Sequence, residues 1–317
     1  RIWYGLSGGG MGYVENGKVH PLKNNFSHQQ VLTLTGYKGD LWFGTYGDGI
    51  FQYNSRLIKN YNVRSGLSSN RISIIRPDQS GNLIIGTFGE GFMIYTGNRF
   101  LKFLPGDYPI AETIWGIYVD KNNKIWLGSR NNGLYSFNLD ESYSVSNIKR
   151  YTKKDGLASN TIFSITGDDA GNVFIGTNNG ISVFNEKGFE NYSIEDGLSS
   201  GNIFSLYYFN DYLWAGTDKG LNKISFDSTS MPFVKIYSKD EGFKGIECNG
   251  NAIISDYKDQ VWIGTVNGIT KFDPDKDVIE SKPPIVYITD LQLFLKDIDW
   301  SEYSEKRDSL FSLPLDL

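Results

Sequence analysis

The stretch Val173-Phe174-Ile175-Gly176-Thr177-Asn178-Asn179-Gly180-Ile181 reads as an apolar strand, a small-residue turn and the start of a second apolar strand. The chain repeats it. Counterparts open at Ile2-Trp3-Tyr4-Gly5, Leu41-Trp42-Phe43-Gly44-Thr45, Leu83-Ile84-Ile85-Gly86-Thr87, Ile125-Trp126-Leu127-Gly128-Ser129, Leu213-Trp214-Ala215-Gly216-Thr217 and Val261-Trp262-Ile263-Gly264-Thr265. Each leads to a Gly and an apolar residue: Gly10-Met11, Gly49-Ile50, Gly91-Phe92, Gly133-Leu134, Gly220-Leu221 and Gly268-Ile269. The spacing of about 43 residues between motif glycines suits one four-stranded blade of a β-propeller.

The rest of each repeat completes the blade. Asn160 to Ile165 and the turn Asp168-Asp169-Ala170-Gly171-Asn172 precede the motif, with equivalents at Asn70 to Ile75 and Thr113 to Val119. Asp, Asn and Gly tolerate the backbone angles of tight reversals, so these segments predict strand, turn, strand. A fourth strand ends on Tyr61, Tyr151, Tyr192 or Tyr237, and the predicted order is inner strand, Trp strand, third strand, outer strand. The recurring Trp42, Trp126, Trp214 and Trp262 are expected as wedges between blades, because stacked repeats bury one another's faces.

The predicted fold is therefore all-β: a seven-bladed propeller over residues 1–273, its first and last blades incomplete, and then residues 274–317 as a linker and the opening of a second β domain. The chain begins at a Trp strand with no inner strand before it, and no outer strand is evident after Phe272. The sequence reads as a segment of a longer protein.

Composition narrows the function. With 36 glycines and 15% aromatics among 317 residues, the chain suits many short strands joined by tight turns. A net charge of -5 with both signs interspersed lacks the basic footprint of a nucleic-acid binder. No apolar run approaches the roughly 18 residues of a membrane-spanning helix. The single cysteine, Cys248, excludes an internal disulfide and reads as a buried thiol. The histidines are only His20 and His28, with no metal-ligand pairing, so no metal or other cofactor is expected. Asp273-x-Asp275-x-Asp277 begins like a calcium loop, but Val278 stands where such a loop needs glycine.

The connectors sharpen the reading. Ser65-Gly66-Leu67-Ser68-Ser69-Asn70, Asp155-Gly156-Leu157-Ala158-Ser159-Asn160 and Asp196-Gly197-Leu198-Ser199-Ser200-Gly201-Asn202 share one phrase, diverged at Glu241-Gly242-Phe243-Lys244-Gly245. Together with the Trp-x-Gly-Thr phrase, they resemble the two-component regulator propeller repeats in periplasmic sensors of hybrid two-component systems of gut Bacteroidetes. Lys282-Pro283-Pro284-Ile285-Val286-Tyr287-Ile288-Thr289-Asp290-Leu291-Gln292-Leu293-Phe294 resembles the start of the Tyr-rich β-sandwich that follows those propellers. The resemblance implies a noncatalytic sensor in the periplasm, part of the ectodomain of an inner-membrane protein. It further implies an oligosaccharide ligand, a first propeller and a β-sandwich as neighbours, a homodimer formed through the parent protein, and a kinase and transcription regulator elsewhere in it. Membrane contact would come only through that parent.

In an antiparallel blade, the connector before the inner strand and the turn after the Trp strand emerge at one end, beside the axis. That face would gather Asp48, Glu90, Arg130, Asn131, Asn178, Asp218 and Lys219 from the turns, with Tyr46 and Phe88. Asn70, Arg71 and Trp115 would come from the connectors and early inner strands. Asn, Asp, Arg and exposed aromatics suit sugar hydroxyls and apolar sugar faces. The bland alternative is that Asn and Asp serve the turns themselves. Trp115 stands where other repeats carry Ser or Phe and is the preferred contact. Two further readings stay open: a protein-interaction propeller, and a propeller-fold polysaccharide hydrolase or lyase using Asp48, Glu90 or Asp218 as acid and nucleophile.

Overall fold

A computed structural model describes residues 1–22, 29–54, 58–107, 109–226, 232–239 and 241–277, and four short strands beyond them. Residues 1–274 form one compact unit. It contains seven antiparallel sheets in chain order, five of four strands and two, the first and the seventh, of three. This is a seven-bladed β-propeller. In each four-stranded blade the strands lie in sequence order, so the Trp strand sits second from the axis. Blade 1 starts at that second position, with Ile2–Gly5, Met11–Glu15 and Lys18–Pro21. Blade 7 comprises the inner strand Cys248–Ser255, the Trp strand Val261–Thr265 and the third strand Gly268–Phe272.

Six apolar clusters hold the blades together, each drawn from two neighbours. Trp42, Ile50 and Tyr61 of blade 2 pack with Ile72, Ile75, Leu83 and Met93 of blade 3. Trp126 and Leu134 of blade 4 meet Ile162, Ile165 and Val173 of blade 5, and Trp214 and Leu221 of blade 6 meet Cys248, Ile253 and Ile263 of blade 7. Trp42, Trp126 and Trp214 are 1%, 3% and 1% exposed, as wedges must be. Trp262 differs. It is only half-buried, and Ile254 and Val266 of the same blade are exposed.

The motif glycine has a packing reason. A Cβ on Gly44 would lie 2.5 Å from Ile72 Cγ2 and 2.9 Å from Ile72 Cβ, the first paired residue of the next blade's inner strand. Gly216 meets Cys248 in the same way, at 2.7 Å from its Cβ. Only a residue without a side chain lets two blades approach so closely.

The connector phrase folds into one turn of 3-10 helix at Val63–Ser65, Lys153–Asp155 and Ile194–Asp196. Asn62, Thr152 and Ser193 cap the turns, and Gly66, Gly156 and Gly197 end them with φ of +110°, +104° and +98°, a region that glycine enters without steric cost. The following Leu67, Leu157 and Leu198 are buried between blades, each worth about 1.5–3 kcal/mol relative to exposure.

Residues 275–317 form a second unit. Its described strands pair as Gln292–Leu293 with Lys296–Asp297 and Ser304–Glu305 with Leu313–Pro314. The expected opening of a sandwich over residues 282–294 lies outside the described residues apart from Gln292–Leu293.

Candidate functional site at the channel face

The turn after each Trp strand is built by the motif's last residue. The hydroxyls of Thr45, Thr87, Ser129, Thr177 and Thr217 donate to the carbonyls of Gly49, Gly91, Gly133, Gly180 and Gly220 at 2.7–3.0 Å. The same oxygens accept the backbone N–H of Asp48, Glu90, Asn132, Asn179 and Lys219 at 2.9–3.1 Å. The Gly-Thr phrase thus folds the loops that carry most candidate side chains.

These turns do meet the next blade's connector. Gly49 N–H donates to Asn70 O at 2.9 Å, Gly133 to Asn160 at 3.0 Å and Gly180 to Gly201 at 2.7 Å. A bridge pairs Phe88 of blade 3 with Thr113 of blade 4. Turns and connectors form one face, as the antiparallel order requires.

On that face the candidates have unequal roles. Asn70 is occupied by the fold, since its Oδ1 accepts Val63 N–H at 2.9 Å. Arg71 donates from its guanidinium to Phe88 O at 3.2 Å, while Tyr46 and Phe88 make an edge-to-face pair at 5.4 Å. Asn131 accepts from Thr161 Oγ1 at 3.2 Å, linking blades 4 and 5. Asp48, Glu90, Asn178 and Lys219 point to solvent as exposed residues. Asp218 accepts from Asn202 Nδ2 at 3.1 Å. Burial pushes its carboxyl up, but hydrogen bonds from Ser200 and Asn202 outweigh that and hold it below the ordinary aspartate value. Asp48, Glu90 and Asp218 belong to blades 2, 3 and 6, and no hydrogen bond joins any two of them.

Trp115 marks a structural pattern that extends beyond it. Every inner strand of blades 2 to 6 carries a one-residue bulge near its start, and the extra residues are Leu32, Ser73, Trp115, Phe163 and Phe204. A bulge leaves its extra residue out of the ladder and re-aims the side chain, here toward the channel, where all five are partly exposed. Trp115 stacks on Phe163 at 5.4 Å and 20°, and Phe163 meets Phe204 edge-on at 5.2 Å. Three blades therefore share one aromatic wall. The Arg130 guanidinium lies 5.4 Å from the Trp115 ring centroid. Trp115 is thus flanked by Phe163 and Arg130 rather than freely presented, and a molecule that stacks on it must displace the Arg130 side chain.

Trp115 was an expected contact, and Phe163 and Phe204 were not, although all three follow the first apolar residue of their inner strands. The shared position was the available signal. Among the described residues, no three His, Cys, Asp or Glu side chains converge as metal ligands. His20 stacks on Tyr13 at 4.9 Å in the outer strand of blade 1, and His28 lies outside the described residues.

The two-component regulator propeller family matches residues 109–131 and 156–179. Those two matches contain Trp115, Arg130, Asn131, Phe163 and Asn178. The chain is 23% identical over 318 aligned residues to histidine kinase P4 of Formosa agariphila, covering 92% of this chain and 23% of that protein. Among solved structures, the extracellular domain of a hybrid two component system from B. thetaiotaomicron superposes with a TM-score of 0.76 at 21% identity, covering 98% of this chain and 42% of that one. Virginiamycin B lyase from Staphylococcus aureus has a TM-score of 0.58 at 12% identity, covering 76% of this chain and 83% of the lyase. Both structural likenesses concern the fold. The chain spans about a quarter of the kinase and less than half of the extracellular domain that it resembles.

Proposed function

We propose that this chain is an extracytoplasmic, noncatalytic sensor propeller of a hybrid two-component signalling protein, and that its channel face recognises an oligosaccharide. The regulator-repeat match over residues 109–131 and 156–179 supports the sensing part and falls on blades 4 and 5, which hold Trp115 and Phe163. The sugar part rests on chemistry. Trp115 and Phe163 offer apolar ring surface, and Arg130, Asn131 and Asn178 surround it with donors and acceptors suited to hydroxyl groups.

The Asp218 carboxyl supports the noncatalytic reading, because a general acid needs a raised pKa and this group is held below its ordinary value. In the parent protein, a further propeller, a β-sandwich and a second copy would be the partners, in the periplasm. Stiff blades suit transmission by rigid-body rotation, with ligand shifting the balance between two arrangements. Titration calorimetry against a panel of plant and host oligosaccharides tests the reading. Binding that weakens in Trp115→Ala is expected, whereas turnover of any of them, abolished by Asp48→Asn, Glu90→Gln or Asp218→Asn, would replace the sensor with an enzyme.

A further inference from the structure

Blade 7 departs from its neighbours in the inner strand. Four residues, Asn249 to Ala252, lie between Cys248, opposite Thr265, and Ile253, opposite Ile263. Blade 6 has two, Phe204 and Ser205, between Ile203, opposite Thr217, and Leu206, opposite Ala215. The enlarged bulge reaches across the channel. At its tip Asn251 adopts φ of +53°, a left-handed conformation that Asn tolerates better than most residues.

The Asn251 side chain is fully engaged there. Its Nδ2 donates to the carbonyls of Trp115 and Phe163, at 3.2 Å each, on blades 4 and 5. Its Oδ1 accepts from Ser164 Oγ at 2.8 Å, and Ser164 Oγ accepts Leu206 N–H of blade 6 at 3.0 Å. Trp115 and Phe163 are the bulged residues of their strands and have no ladder partner. Asn251 thus donates to the carbonyls of both bulged residues.

We propose that Asn251 is a cross-channel tie that couples the Trp115–Phe163 wall to blade 7. A displacement of the wall is then felt in Cys248–Ser255 and in the strands after it, the last of the propeller. The use of this coupling for signalling rests on the wall being the recognition surface. The tie itself can be tested without a ligand. A competing route runs through packing, because Phe163 touches Phe204 on blade 6 and Tyr207 of blade 6 hydrogen-bonds Ser255 of blade 7 at 2.9 Å. A cycle of variants separates the two routes.

The chain is labelled with 5-fluorotryptophan, and the Trp262 resonance in blade 7 is assigned from Trp262→Phe. Phe163→Leu is expected to shift Trp262 in the otherwise native chain, and that shift is expected to be lost when Asn251→Ala is also present. Trp42, in blade 2, should keep its resonance throughout and so reports folding. Where Trp42 shows that Asn251→Ala has unfolded, Asn251→Asp takes its place, keeping the size but losing both donors. An equal Trp262 shift with and without the tie assigns the coupling to packing and overturns the proposal, as does the absence of a shift in both. Loss of oligosaccharide binding in Trp115→Ala is a separate result, so a failed tie and a failed recognition surface are told apart.

Discussion

Replacing Gly44 by Ala tests why the Trp motif contains glycine. The new Cβ would stand 2.5 Å from Ile72 Cγ2, 2.8 Å from Thr33 Cγ2 and 2.9 Å from Ile72 Cβ. Carbon atoms pack at about 3.5–4.0 Å, so the overlap with Ile72 Cβ is about 0.6–1.1 Å. A rotamer change can move Cγ2, but Cβ is fixed to the backbone, so relief requires blades 2 and 3 to separate. Overpacking of this kind costs about 1–3 kcal/mol. Ile72 is fully buried, and Ile72→Ala alone should cost about 2–5 kcal/mol through transfer and cavity terms. The double variant lacks the Cγ2 contact at 2.5 Å but keeps those with Cβ of residue 72 and with Thr33 Cγ2, so its loss should fall only slightly short of the sum of the single losses. Urea unfolding followed by far-UV circular dichroism measures all four proteins, with midpoints compared at equal slope. A neutral Gly44→Ala would refute close blade approach as the reason for the glycine.

Three further outcomes follow from burial. Trp126→Ala, at the interface of blades 4 and 5, should cost about 3–5 kcal/mol in the same unfolding assay, because the indole is 3% exposed and its Nε1 donates to Asp120 at 3.2 Å; a loss below 1 kcal/mol would contradict the wedge. Burial pushes the Cys248 thiol up to about 12 and the Tyr118 phenol, beside Asp120, to about 12. Both acids ionise at lower pH once unfolded, so their contribution is intact below about pH 8.5 and is lost as pH rises toward 12. Thermal melts from pH 8 to 11 should show this decline, reduced in Tyr118→Phe, and iodoacetamide at pH 8.5 should label Cys248 only as the chain unfolds.

Much of the propeller was legible because its rules are local. The motif spacing, the Gly-Leu connectors and the Tyr-ended outer strands each recur, so blade number and strand order could be read from one repeat and checked in the others. Trp262 shows the limit: its sequence context matches that of Trp214, but its burial depends on what lies against blade 7. Asn70 stood out as a ligand candidate by composition, whereas the acceptance of Val63 N–H by its Oδ1 depends on connector geometry and could not be read there. The aromatic wall was half legible, since Trp115 stood out by its rarity while Phe163 and Phe204 passed as ordinary strand residues. Asn251 gave no signal, because its role depends on an enlarged bulge and on carbonyls more than 80 residues away in sequence.

The central claim is that the channel wall of this propeller recognises an oligosaccharide. Calorimetric titration of the native chain and of Trp115→Ala, with the oligosaccharide panel and with unfolding midpoints measured on the same samples, tests it most directly. Loss of an aromatic anchor should weaken the bound sugar by about 1–2 kcal/mol, roughly tenfold or more, while the unfolding midpoint changes far less than in Trp126→Ala. Equal affinity in the native chain and in Trp115→Ala, or no binding of any oligosaccharide by the native chain, would contradict it.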